Sequence, residues 1–388
     1  MKNTYIIIAA IVVIVIIIGG AFAYIYLSTP GKKSTSTLAS ATLNGEGGTL
    51  VAPLMSVWQG AYAAVEPQIT VNYNPQGSGA GITAFQQKIV DFGESDAPMT
   101  ATQYGALPSG TTALTIPISA SAVVPAYNLK LANGTVCKNG LNFNGTVLAN
   151  IFLGTITNWN DPQIAALNPT IPLPNTPITT VHRSDGSGTM FAFTDFLYKE
   201  SSSWATKVGK PSTTPSWPTT PLELAAPKNA GVAAAIAGNN GAIGPLEIAY
   251  ILENTGQSSL YYGTVQNAAG NFIIANVSNI AATLQAGATA GLPAGNAQWS
   301  SVSIIDNTYN NKTATTIYPI VTMTYALVYE QQSSQTQGAA LVNFLSWIVN
   351  SGQSLGTGLG YVPLPANIVA VDNTSIKLIT YNGTPIQT

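Results

Sequence analysis

The chain's single arginine, Arg183, stands two residues before Asp185 and four before Ser187, in the run Arg-Ser-Asp-Gly-Ser-Gly-Thr. A guanidinium presents a planar fork of donors that grips an oxyanion through paired hydrogen bonds, which an ammonium does not. Asp185 is placed to orient that fork, and the residues after it form a glycine- and hydroxyl-rich turn that feeds a helical pattern. The same design occurs twice more, at Gly47-Gly48-Thr49-Leu50 and at Gly77-Ser78-Gly79-Ala80-Gly81. A helix start leaves backbone N–H groups without intrahelical partners and carries the positive end of the helix dipole. Glycine lets an anion reach the backbone, and hydroxyls add donors beside it. Three such turns with one arginine are the makings of an anion site. Taken singly, each turn is equally an ordinary N-cap, and Arg183 with Asp185 an ordinary ion pair holding a turn.

Asp91, Glu94 and Asp96 fall within six residues. Composition alone reads this as a solvated acidic turn. Inside an anion site, one of these carboxylates has another use. It repels an aprotic anion but accepts a hydrogen bond from an oxyanion that carries a proton, as hydrogen phosphate does and sulfate does not.

The remainder of the chain narrows the field. Its 388 residues include 13 Lys and Arg together, 15 Asp and Glu, one His and one Cys; 7% are charged and 46% hydrophobic. A zinc centre needs about four Cys or His ligands, so no metal is expected. Cys137 has no partner for a disulfide. Lysines are few and dispersed, which argues against nucleic-acid binding. The apolar fraction excludes charge-driven disorder. A hydrolase built on His182 is the weaker reading, because neither Ser78 nor Ser187 sits in G-x-S-x-G. The scarcity of charge suits acidic surroundings, where carboxylates neutralise and each added Lys is unbalanced.

These residues need a frame. Tyr5 to Leu27 is a run of 23 residues without charge, long enough to span a bilayer as a helix. A secretory signal cleaved after Ala21-Phe22-Ala23 is the alternative. Residues 28–43 read as a Ser/Thr-rich linker. From Asn44 onward, helical and strand patterns alternate, which predicts α/β layers. Pro53 opens a helix with Leu54, Val57, Trp58, Ala61 and Val65 on one face. Ile82, Phe85 and Ile89 mark a second, starting after Gly77-Ser78-Gly79. Met190, Phe193, Phe196 and Leu197 mark a third, starting at Ser187-Gly188-Thr189. Leu341, Phe344, Leu345 and Ile348 mark a late helix that Gly352 terminates. Val321, Met323, Tyr325, Leu327 and Tyr329 alternate as a strand.

With these motifs assembled, the chain resembles the PstS family, the phosphate-binding proteins of ABC phosphate transporters. The resemblance runs from about Gly45 to Asn367. It is most specific over residues 151–197 (IFLGTITNWNDPQIAALNPTIPLPNTPITTVHRSDGSGTMFAFTDFL), supported by GGTLVAP, DFGESDAPM and GAIGPLEIAY. It implies a two-lobed periplasmic-binding-protein-like α/β fold (type II) with hinge strands. Lobe 1 would take residues 44–120 and 320–388, and lobe 2 residues 121–319. It further implies that phosphate is held by Gly48, Thr49, Leu50, Ser78, Arg183, Ser187, Gly188 and Thr189. Asp96 would accept the phosphate proton, and Asp185 would hold the guanidinium. No cofactor and no catalytic residue are implied. The partners are inorganic phosphate and a transmembrane permease, with a monomer expected outside the cytoplasm, held by residues 1–27. Binding of sulfate, molybdate or tungstate is the alternative. The chain departs from the family at Leu50, where Phe is usual, Gly79, where Ser is common, and His182, where Arg is frequent. Glu94 stands where the family has a small residue and is given no ligand role.

Overall fold

The computed structural model describes residues 38–254 and 259–387. The apolar run Tyr5–Leu27 lies outside them. Among the described residues no helix is long and apolar enough to cross a membrane.

Strand β1 (Ala41–Gly47) pairs in parallel with β2 (Ile69–Pro75) along its whole length. Between them runs helix α1 (Ala52–Val65), with Pro53 in its first turn. Proline suits that place, since the N–H it lacks has no helical partner there anyway. The fully buried face is Leu54, Met55, Trp58 and Tyr62. Val57 and Ala61 are only half-buried, so the inner stripe lies beside the expected one. Helix α2 (Ser78–Gln86) leads to β3 (Phe92–Ser95), which adds in parallel to β1. Ile89, expected on the inner face of α2, lies past its end and is 67% exposed. The chain turns away just before it, at Lys88, with φ at +57°.

The next strand, β4 (Ala113–Asn128), is buried throughout. Then follow β5 (Thr179–Arg183), α3 (Gly188–Glu200), β6 (Glu223–Ala226), α4 (Lys228–Gly238), β7 (Ala242–Glu247), β8 (Val321–Tyr329) and α5 (Gln335–Trp347). The main sheet orders them β2-β1-β3-β8-β4-β7-β5-β6. Residues 113–122 of β4 pair antiparallel with β8, and residues 123–128 pair with β7. One long strand thus crosses from one half of the sheet to the other, and β8 brings the chain back. This is the two-lobed α/β arrangement expected. Except for Tyr329, β8 is buried on both faces, because helices cover both sides of the sheet. The late helix does not stop at Gly352. Its α-helical part ends at Trp347; the helix then widens through Ile348–Gly352, where Trp58 Nε1 donates to the Gly352 carbonyl at 2.8 Å, and continues as a 3-10 helix over Gln353–Leu359.

Two carboxyls sit in this interior away from the glycine turns. Glu247 Oε2 and both oxygens of Asp372 are buried without a hydrogen-bond partner. Burial pushes both groups well above the ordinary carboxylate range. The folded chain therefore binds protons that the unfolded chain has already released. Stability is fully present below the unfolded carboxylate value of about 4, and it falls as pH rises toward the folded values. We expect a higher Tm at pH 4–5 than at pH 8, and a flatter pH dependence for Asp372→Asn. A Tm that rises steadily from pH 4 to pH 8 overturns this.

Candidate functional site

The three glycine turns converge where the two halves of the sheet meet. The loop after β1 supplies Gly48, Thr49 and Leu50, all buried. Gly77 caps α2 at φ +104°, and a Cβ there would lie 2.7 Å from both Asp185 Oδ2 and the Gly186 carbonyl. Only glycine meets both demands. Ser187 caps α3 through its side chain. Asp96 follows β3, and Arg183 ends β5.

Arg183 is 4% exposed and is the hub. Its Nε donates to Asp185 Oδ1 at 2.7 Å, and Nη2 donates to Asp185 Oδ2. Burial alone would raise the Asp185 carboxyl, but the hydrogen bond and charge of Arg183 outweigh it and hold that carboxyl below its ordinary value. The Lys228 N–H at 2.9 Å also binds Asp185. Nη1 of Arg183 faces Ser187 Oγ (2.9 Å), Thr49 Oγ1 (3.0 Å) and Asn229 Oδ1 (3.3 Å). Thr49 comes from one half of the molecule and Ser187 from the other. More bonds cross the same gap: Gly188 N–H to Ser78 Oγ (3.1 Å), Asn229 N–H to Thr49 Oγ1 (3.2 Å) and Gly79 N–H to the Gly186 carbonyl (3.2 Å). Thr189 Oγ1 lies 3.4 Å from Asn229. The Leu50 carbonyl accepts from the Tyr361 hydroxyl.

Against this donor set stands Asp96, 1% exposed. Thr324 Oγ1 donates to its Oδ1 at 2.8 Å and Ser78 Oγ to its Oδ2 at 3.2 Å. Burial raises this carboxyl, and its hydrogen-bond donors and the Arg183 charge resist the rise. The site is thus a cluster of backbone and hydroxyl donors, one guanidinium and one buried acceptor. That combination binds an oxyanion through charge-assisted hydrogen bonds and leaves an acceptor for a proton on it.

Of the residues expected at the anion, Thr49, Ser78, Asp96, Arg183, Asp185, Ser187, Gly188 and Thr189 are joined by these bonds, and Leu50 is buried beside them. Gly48, however, directs its N–H to Glu94 Oε2. A Cβ on Gly48 would collide with both Glu94 and Asp96. Sequence reading missed Asn229, Thr324, Tyr73 and Tyr250, and gave Glu94 no ligand role. The Tyr250 hydroxyl donates to the Thr49 carbonyl at 2.6 Å, and the Tyr73 hydroxyl lies 2.8 Å from the Gly48 carbonyl. Glu94 alone carried a signal, as a charged residue in a place where small ones are usual. His182 turns away: its ring stacks on Trp217 at 4.7 Å, and Nε2 lies 3.0 Å from Glu223 Oε1. Among the described residues no group of three or more His, Cys, Asp or Glu could hold a metal ion.

Residues 32–351 match the model of the PBP superfamily domain. The chain is 34% identical over 336 residues to the phosphate-binding protein PstS of Xylella fastidiosa, covering 87% of this chain and 85% of that protein. It is 33% identical over 333 residues to the PstS of Pasteurella multocida, covering 86% and 89%. Among solved structures it is similar to the phosphate-binding protein of Stenotrophomonas maltophilia. The TM-score there is 0.66 at 20% identity, over 86% of this chain and 94% of that one.

Proposed function

Because this chain belongs to the PBP superfamily and, within it, to the PstS phosphate-binding proteins, we propose that it captures inorganic phosphate between its lobes and delivers it to the permease of an ABC importer. The observation that carries this reading is Asp96: a buried carboxyl set into a cluster of donors opposite the molecule's single arginine. Such a group welcomes a proton-bearing oxyanion and penalises an aprotic one. Phosphate would sit among the Thr49, Leu50, Ser78, Ser187, Gly188 and Thr189 donors, gripped by Arg183. Residues 44–120 with 320–388, and residues 121–319, would close on it by bending about β4 and β8.

The chain acts as a carrier and not as a catalyst. A serine hydrolase would need a base beside Ser187, and His182 is engaged by Glu223 and Trp217 instead. It works outside the cytoplasm as a monomer, with Tyr5–Leu27 as its membrane anchor. Mass spectrometry of the native N-terminus tests the anchor, and a mature chain starting near residue 24 overturns it.

The ligand reading is tested by titration calorimetry with phosphate, arsenate, sulfate and molybdate. Phosphate and arsenate are expected to bind, and sulfate barely. Asp96→Asn removes a charge-assisted hydrogen bond of roughly 1.5–3 kcal/mol, which corresponds to about a 10- to 150-fold loss of phosphate affinity. The same change should improve sulfate relative to phosphate. Equal affinity of the unmutated protein for sulfate and phosphate overturns the reading.

A further inference from the structure

Beside Asp96 the fold has put a second carboxyl. Glu94 lies on β3, two residues before Asp96, and both side chains crowd the Cα of Gly48. Glu94 is fully buried. Its Oε2 accepts from the Gly48 N–H and from the Tyr73 hydroxyl at 2.7 Å, while Oε1 is buried without a partner. A Cβ on Gly48 would touch both Asp96 Oδ2 and Glu94 Oε2, so the two carboxyls lie side by side in the same buried space. Two ionised carboxylates held side by side out of water repel each other, so the pair favours keeping one proton.

We propose that Glu94 is a further specificity-determining residue of the anion site: with Asp96 it forms a carboxyl pair that takes phosphate together with one more proton than a lone aspartate would. The inference rests on the phosphate reading above. Its argument is a matter of charge and partners. Asp96 has two hydroxyl donors, Thr324 and Ser78, and the charge of Arg183 to favour its ionised form. Among the described residues no cation touches Glu94, and its Oε1 has no hydrogen-bond partner. The proton of the pair therefore belongs on Glu94, and burial together with the neighbouring Asp96 charge keeps it there.

Other titratable groups around Glu94 leave this assignment in place. Tyr73, from β2, is a neutral donor whose own ionisation is pushed up by burial. Tyr250, from the far side of the cleft, is held neutral in the same way. Glu247 acts on Asp96 only through its charge and is itself pushed toward the neutral form by burial. Arg183 is paired with Asp185 and lies nearer Asp96 than Glu94 in its effects. An arriving phosphate adds negative charge in front of the pair, so the ionised form of Glu94 becomes still less favourable. Wherever solution pH has removed the Glu94 proton in the free protein, binding must restore it from the solvent. The step is proton uptake alone, with no bond to phosphorus made or broken. Capture then weakens as pH rises, beyond the change caused by the titration of phosphate itself.

The test is calorimetric titration of phosphate into the full chain in mild detergent, from pH 5 to pH 9, in two buffers of different ionisation enthalpy. Wild type, Glu94→Ala and Glu94→Gln are compared, so that phosphate's own titration cancels. Wild-type affinity should fall more steeply with pH than that of either variant, by up to tenfold per pH unit, with up to one extra proton taken up per phosphate. The glutamine keeps the shape without the titration and covers the case in which alanine disturbs the fold. Equal slopes and equal proton uptake in all three proteins overturn the proposal while leaving phosphate capture standing. Absence of phosphate heat from the wild type at every pH overturns both.

Discussion

Arg183→Lys is expected to raise the Kd for phosphate by roughly 30- to 1,000-fold, the effect of about 2–4 kcal/mol when a buried charge-paired group is replaced. The lysine keeps the positive charge, so the loss measures geometry. Arg183 spends Nε and Nη2 on Asp185, which fixes the guanidinium plane, and leaves Nη1 toward Thr49, Ser187 and Asn229. An ammonium has no such plane, and it either satisfies Asp185 or reaches the anion. Asp185 would also stay buried beside a partner that fits it poorly, which adds to the loss. Titration calorimetry reads the change directly. Lys210→Met, at a surface position, serves as the control for lost charge. A change below threefold for Arg183→Lys would remove the arginine from the site.

Gly188→Ala is the second large effect, and its mechanism is closure. Gly188 opens α3, behind the side-chain cap of Ser187. Its backbone lies outside the positive-φ region, so alanine suits the helix locally. What alanine meets is across the cleft: the new Cβ would lie 2.6 Å from the Asp96 carbonyl carbon and 2.7 Å from its Cα. Backbone does not move aside as a flexible side chain does. The two halves would have to stand apart, and the Gly188 N–H would lose Ser78 Oγ. We expect at least a 100-fold loss of phosphate affinity, with Tm in the absence of phosphate changed by less than about 3 °C, the equivalent of roughly 1 kcal/mol in a chain this size. Gly81→Ala supplies the contrast. Its Cβ would lie 2.5 Å from Gly47 Cα and 2.7 Å from the Glu46 carbonyl, both within the same half of the molecule. Overpacking of that kind costs about 1–3 kcal/mol of folding stability. If Gly188→Ala lowers Tm as far as Gly81→Ala and spares phosphate binding, the closure argument fails.

The difference between these two glycines marks how far sequence could go. Gly81 and Gly188 sit in similar glycine-rich turns that local spacing does not distinguish, although the family resemblance places only Gly188 at the anion. Only the fold shows that one packs against its own half and the other against Asp96. His182 and Arg183 teach the same lesson in reverse. They are adjacent in the chain, and the family resemblance marked His182 as standing where another Arg is frequent. Successive residues of a strand point to opposite faces, so Arg183 enters the cleft and His182 packs on Trp217. The residues that escaped notice, Asn229, Thr324, Tyr73 and Tyr250, are single polar groups in ordinary helices and strands. They reach the site from 21 to 228 positions away along the chain, as between Tyr73 and Glu94 or Asp96 and Thr324.

Sequence alone determined the chemical parts: one guanidinium with its carboxylate, three turns that expose backbone donors, and an acidic run able to supply an acceptor. These are legible because each depends on a few neighbouring residues: a cap, a glycine, a two-residue spacing. It also determined α/β layering, through the alternation of two periodicities. Tertiary structure decided which donors face one another, that the Gly48 N–H goes to Glu94, and that Glu94 is buried beside Asp96. Those outcomes follow from strand order and register, which bring β1, β3, β5 and β8 to one place. No local pattern encodes that convergence, because the burial that drives it is shared by the whole core.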